Sequence, residues 1–181
     1  MKSTGIVRRV DVLGRVVVPK EIRKILKISE GDPLEIFTEK DSIILKKYSP
    51  LYGDGELLNT IASTLLKQTG KTVFICDKDL ILSASGQCYK EIIASPISAI
   101  LEKFIRENKT LLSIFEDGGE PIKITENDEF GFTNQLIIPI EGEEETYGAI
   151  ILCDKTKENK ITSEEIDLVR FASQIISGKR K

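Results

Sequence analysis

The sequence predicts an α+β protein of two domains, a small N-terminal one with the element order β, β, α, β, β and a larger α/β one behind it. Three observations carry this prediction. Charge is divided: residues 1–27 hold eight Lys or Arg against Asp11 and Glu21, a balance of +6 in a chain of 181 residues whose net charge is −3, so the remainder sums to −9. Runs of β-branched residues with strand character alternate with apolar stripes at helical spacing along the whole length. Between them, the segment SPLYGDGE at 49–56 gathers proline, two glycines and acids where the character of the chain changes. The expected division is therefore 1–50, a linker at 51–55, and 56–178.

In the first part, TGIVRRV at 4–10 and RVVV at 15–18 read as two strands joined by DVLG, whose Asp and Gly suit a tight connection. Pro19 follows where a first helical residue tolerates proline, and Ile22, Ile25 and Leu26 make one apolar stripe at i, i+3, i+4. Lys20, Arg23, Lys24 and Lys27 fall on the other side of that helix. Gly31, Asp32 and Pro33 stop it, and LEIFTE and SIILKKY flank Lys40 and Asp41 as a second hairpin. About fifty residues bury too little surface to fold alone without metal, disulfide or a partner chain. The sequence offers neither of the first two, so it predicts a dimer of interleaved strands.

In the second part, Leu58, Ile61 and Leu65, widened by Leu57 and Leu66, predict a helix over 57–68 that Gly70 stops. KTVFICDKDLILSAS reads as strand, DKD turn and strand. The stretch from Tyr89 to Glu107 reads as helical with a break near Pro96. TNQLIIPIEGEEETYGAIILCDK reads as a hairpin with a charged, exposed tip. A closing helix over 163–177 is announced by capping-box spacing at Thr162 and Glu165, a stripe of Ile166, Val169, Ala172, Ile175 and Ile176, and Gly178 as its stop.

Composition excludes several chemistries. There is no histidine, which removes a Ser/His/Asp triad, a Cys/His pair and imidazole metal sites. The three cysteines, Cys76, Cys88 and Cys153, are odd in number and lack CxxC spacing, as expected of reduced thiols. Cys76 and Cys153 end apolar strands and read as small core residues, and Cys88 is the least buried by pattern. The acids read as a solvated surface without isolated carboxylate pairs. We therefore expect no metal, no cofactor and no catalytic activity. No apolar run approaches the roughly 18 residues a membrane helix needs, and the opening MKSTGIVRR does not look like a secretory signal. The expectation is a cytoplasmic protein without a membrane partner, and the basic segment makes nucleic acid the first partner to consider.

The run STGIVRRVDVLGRVVVPKEIRKIL, followed by EGDPLEIF and SIILKKY, resembles the AbrB-like family of bacterial transition-state regulators over nearly all of residues 1–50. The resemblance implies a swapped-hairpin β-barrel formed by a dimer, with basic side chains facing double-stranded DNA. The family's DNA-contacting positions match Arg8, Arg15, Arg23 and Lys24, and Lys2 and Arg9 join them on charge and proximity. Lys24 keeps a charge where arginine is also common in the family, but it lacks the planar fork.

Residues 56–178 are similar in element order to a GAF-type sensor domain. Such domains often hold a small ligand between sheet and helices, yet the NKF signature of cyclic-nucleotide binding is absent, so any ligand stays unspecified. The pairing of the two resemblances implies a regulator of late gene expression in the developing spore, acting as activator or repressor in the cell or forespore in association with the nucleoid. It further implies a homotetramer joined through the helices at 57–68 and 163–177. Two other readings are an antitoxin-type protein that uses the same N-terminal fold to hold a partner and a cysteine-dependent methionine sulfoxide reductase. Full strand and helix patterning in 56–178 speaks against the flexible tail of an antitoxin.

Overall fold

The computed structural model describes residues 5–86, 90–143 and 145–178. The chain splits into two compact units, Met1–Tyr48 and Ser49–Lys181.

The first unit contains helix α1 (Lys20–Ile25) and strands β1 (Leu34–Glu39) and β2 (Ser42–Lys47). β1 and β2 pair antiparallel from Leu34 opposite Lys47 to Glu39 opposite Ser42, around a turn in which Lys40 takes a positive φ of 49°. The connection from α1 is tied down by Asp32. Its Oδ2 accepts from the Ser29 amide at 2.8 Å and lies 3.4 Å from Lys47 Nζ. Pro19 stands at the N-cap of α1, and its carbonyl accepts the Arg23 amide at 2.9 Å.

The expected first hairpin is not formed as strands. Residues 5–18 carry no strand, although a turn over 11–14 reverses the chain, with Asp11 N donating to Arg15 O at 3.0 Å. The reason is physical: a strand needs a neighbouring edge for its N–H and C=O groups, and among the described residues no strand ladder runs along this segment. Val7 and Val17 are 83% and 72% exposed, and no described residue of this unit is fully buried. The apolar stripe of α1 is likewise open, with Ile25 and Leu26 exposed.

The second unit is a five-stranded antiparallel sheet in the order β4-β3-β7-β6-β5, built from β3 (Thr72–Asp77), β4 (Ile81–Ser85), β5 (Leu111–Ser113), β6 (Asn134–Glu141) and β7 (Thr146–Asp154). Helices α2 (Gly55–Thr69) and α4 (Ser163–Gly178) cover one face, and α3 (Ala99–Arg106) covers the other. Because side chains alternate along a strand, Val73, Ile75, Ile150 and Leu152 pack on α2 and α4. Phe74, Cys76, Ile151 and Cys153 pack on the α3 side. β6 and β7 are central and covered twice, which explains why LIIPI and AIILC are unbroken apolar runs.

Local signals behave as their chemistry requires at several termini. Gly70 ends α2 with φ 68°, a left-handed cap that donates its amide to Leu66 O at 2.8 Å. Glu165 N donates to Thr162 Oγ1 at 3.3 Å and Thr162 N donates to Glu165 Oε2 at 2.9 Å, a reciprocal capping box at the start of α4. Two buried amides pin the long loops. Asn134 Oδ1 accepts from the Phe115 amide at 2.9 Å, while Gln135 bonds both the amide and the carbonyl of Ile122.

Some expectations change. The helical stretch expected over 89–107 with a break near Pro96 is a short 3-10 turn at Lys90–Ile92 and helix α3 at Ala99–Arg106, with Tyr89 outside the described residues. The break is wide because Ser98 takes the N-cap and Pro96 bridges Leu80 in an extended backbone. Leu51, placed by composition in the linker, is fully buried in the core of the second unit, and Tyr52–Asp54 form a short 3-10 turn leading into α2. Ile175 is exposed on α4 rather than part of its buried stripe, which runs through Val169, Ala172 and Ile176.

Candidate nucleic-acid interface

The first unit offers charge without competing burial. Arg8 and Arg9 sit on the arm before the 11–14 turn, Arg15 follows it, and Arg23 and Lys24 lie in the last turn of α1. All five are exposed. Lys2 lies outside the described residues. Arg8 Nη1 donates to the adjacent Val7 carbonyl at 3.1 Å, and among the described residues no carboxylate pairs with it.

The turn that carries Arg15 is organised by Asp11. Asp11 Oδ1 accepts from the amides of Leu13 and Arg15, each at 2.9 Å, and Oδ2 lies 2.8 Å from Arg15 Nε. Gly14 closes the turn with φ 77°, a left-handed conformation for which glycine is suited. The Arg15 amide, the Arg15 side chain and the Leu13 amide hold the Asp11 carboxyl below the usual carboxylate range, since each donates to its charged form. The family resemblance singled out Arg15 in the sequence, but not Asp11. The available signal was one of only two acids within the basic stretch 1–27, four residues before an arginine.

Exposed guanidinium and ammonium groups of this kind can grip phosphate oxygens, and the planar arginines can also fork onto a guanine edge. The second unit has a different character. Cys76 and Cys153 are both buried in the sheet, and burial drives their thiols far up from the ordinary cysteine range. Cys88 lies outside the described residues. On the α3 side of the sheet Phe74 stacks on Phe130 at 5.9 Å between ring centroids and stands edge-on to Phe132 at 6.0 Å. A cavity of about 730 Å³ lies beside the tip of the β6–β7 hairpin and α4, lined in part by Tyr147, Arg170 and Gln174. Among the described residues no cluster of His, Cys, Asp or Glu could hold a metal ion, and no helix is long and apolar enough to cross a membrane.

A cationic unit without a core of its own, joined in one chain to an α/β domain whose described thiols, Cys76 and Cys153, are sealed, defines a two-domain protein of the transcription-regulator class. Residues 55–180 match the family described as stage V sporulation protein T C-terminal, transcription factor, and residues 7–52 match the one described as antidote-toxin recognition MazE, bacterial antitoxin. The chain is 38% identical over 156 residues to stage V sporulation protein T of Bacillus subtilis (strain 168), covering 86% of each. It belongs to the stage V sporulation protein T family. Its first part is 64% identical over 50 residues to the transition state regulatory protein AbrB of the same organism, covering 28% of this chain and 52% of AbrB. Among solved structures, the GAF domain of the Acinetobacter phosphoenolpyruvate-protein phosphotransferase superposes with a TM-score of 0.58 at 10% identity, over 74% of this chain and 82% of that one. At that identity the likeness is one of fold, and it identifies the second unit as GAF-like.

Proposed function

We propose that this chain regulates transcription of late sporulation genes by gripping duplex DNA with Lys2, Arg8, Arg9, Arg15, Arg23 and Lys24. It does so as a dimer interleaved through residues 1–50. The observation that carries this reading is the combination found in the first unit: Val7, Val10, Val16 and Val17 are exposed on arms without ladder partners, and the cations stand on the same short segment. Pairing the arms with those of a second copy would set them in a ladder and bury the valines. It would also place two sets of cations on one body, matched to the two strands of a duplex.

In this reading the second unit, which takes in residues 51–55 as well as 56–178, assembles two dimers into a tetramer. Phe171 and Ile175 are 62% and 43% exposed, one turn apart on α4, with half-buried Leu168 on the same side. They suit helix-to-helix contact between copies, with α2 alongside. The exposed Phe171 and Ile175 support an assembly role for this unit. The protein works in the bacterial cytoplasm or forespore, at the nucleoid, and carries out no chemistry of its own.

The match of residues 7–52 to the antitoxin family favours a second reading, in which the first unit holds a protein partner. Against it stands a second unit with two hydrophobic clusters on its sheet, unlike a tail that orders on a toxin. A cysteine-dependent reductase has the sealing of Cys76 and Cys153 against it, since only an accessible thiolate attacks a sulfoxide.

Native mass spectrometry of the purified chain with and without duplex DNA tests the proposal. A tetramer that takes up duplex is the expected result. A monomer, or an oligomer that ignores duplex, would overturn it.

A further inference from the structure

We propose that Asp11 is a positioning residue for DNA recognition, fixing the Arg15 guanidinium so that its two Nη groups face the duplex as a preset fork. The inference rests on the reading of Arg15 as a DNA-contacting residue.

The geometry separates the two carboxylate oxygens by task. Oδ1 takes the amides of Leu13 and Arg15 at 2.9 Å each and so shapes the turn. Oδ2 takes Arg15 Nε at 2.8 Å. Among the described residues the Nη groups have no other partner, and the Arg15 side chain is otherwise in solvent. A guanidinium held by Nε alone keeps its Nη1–Nη2 edge available, which is the edge that pairs with guanine O6 and N7 or with two phosphate oxygens. Arginine has several rotatable bonds, so fixing it before association lowers the ordering cost of each contact it makes. A carboxylate on a DNA-facing segment repels phosphate, and this arrangement gives it a use that offsets the repulsion.

The consequence concerns discrimination more than adhesion. Phosphate attraction tolerates a mobile cation, whereas a base edge requires a directed one. Asp11→Asn keeps a carbonyl oxygen for the two amides and removes the charge that holds Nε. Affinity would be measured for the full-length chain on two duplexes of equal length, one selected from a random pool by the unmodified protein and one unselected. Asp11→Asn should lower the ratio of selected to unselected affinity about tenfold. In an Arg15→Ala background the same change should leave the ratio where Arg15→Ala alone puts it. Equal tightening on both duplexes would show that the carboxylate only repels phosphate, and an unchanged ratio would show that it orients nothing that reads sequence. Either result overturns the proposal, as would a loss of ratio that persists without Arg15. Arg15→Ala that binds both duplexes normally would instead remove Arg15 from the interface and the proposal with it, a failure read from a different variant. Far-ultraviolet circular dichroism and native mass should match the parent for both variants. If Asp11→Asn unfolds the unit, Asp11→Glu supplies the same test, since it keeps the charge and displaces it by one methylene.

Discussion

Lys71 and Glu165 form a buried ion pair across the second unit, with Nζ 2.7 Å from Oε1 and the lysine only 3% exposed. Lys71 links the end of α2 to β3, and Glu165 lies in the first turn of α4, so the pair joins the two helices on one face of the sheet. The same carboxylate uses Oε2 to cap α4 through the Thr162 amide, and Asn159 Oδ1 gives Lys71 a second acceptor at 3.1 Å. One side chain therefore performs two tasks, and removing it strands a buried charge.

Glu165→Ala should accordingly destabilise the second unit by about 3 to 5 kcal/mol, because it leaves Lys71 unpaired and α4 uncapped. Lys71→Met combined with Glu165→Gln should recover most of that loss, since no charge is then buried alone. Urea denaturation followed by circular dichroism checks both. A loss below about 1 kcal/mol in the single variant would mean that Lys71 reaches solvent in its absence.

Gly148→Ala should prevent normal assembly of the sheet. A Cβ built on Gly148 would stand 1.9 Å from the Cys76 carbonyl oxygen and 2.9 Å from Asp77 Cα, in the neighbouring strand β3. Backbone atoms cannot move aside as a flexible side chain would, so β3 and β7 would have to separate at their Cys76–Ala149 and Asp77–Gly148 pairs. The expected outcome is a fall in melting temperature of several degrees, measured by thermal denaturation, or loss of the folded unit altogether.

Phe171→Asp and Ile175→Asp should split the proposed tetramer into dimers while leaving the fold intact. Both side chains point away from the core, so a charge there meets water in the separated form and an apolar partner in the assembled one. Sedimentation velocity would report the change in mass. A tetramer that survives both substitutions would move the assembly surface elsewhere.

These cases show where the sequence was legible. LEIFTE and SIILKK are strands β1 and β2 as their alternation and turn residues indicate, and the Thr162–Glu165 box and Gly70 stop operate as written. These are local signals, decided within one turn or one hairpin. The rest depended on groups distant in the chain. TGIVRRV and RVVV have strand composition, yet no strand forms without an edge to pair with. Lys71 carried no sign of its burial, because its partner lies 94 residues away. Gly148 sat unremarked inside an apolar strand, and only the close approach of Cys76 explains it. Of the proposed interface, the cations were legible from charge and resemblance. The role of Asp11 emerged only when its distances to Leu13 and Arg15 were known.

The Asp11 carboxyl should titrate below the ordinary carboxylate range, in the direction set first by the Arg15 amide and next by its side chain. Because the folded value is depressed, the stabilisation from this contact is complete above the unfolded carboxylate's titration and fades as pH falls through the folded one. The turn is thus at full strength at neutral pH. Arg15→Ala keeps the amide donor and removes only the side chain, so it should return part of the depression. Carboxyl-carbon NMR titration of both proteins checks the sign, and a higher midpoint in the parent than in the variant would refute it.

The central claim, that a dimeric basic unit grips duplex DNA, is tested most directly by the salt dependence of binding. Fluorescence anisotropy of a labelled duplex with the full-length chain, from about 50 to 200 mM salt, gives the slope of log affinity against log salt. That slope is about −0.9 for each phosphate neutralised. The account predicts a slope steeper than about −4, made shallower by Arg15→Ala in proportion to its copies at the interface. Binding that ignores salt, or a slope that Arg8, Arg15 and Arg23 substitutions leave unmoved, would contradict it.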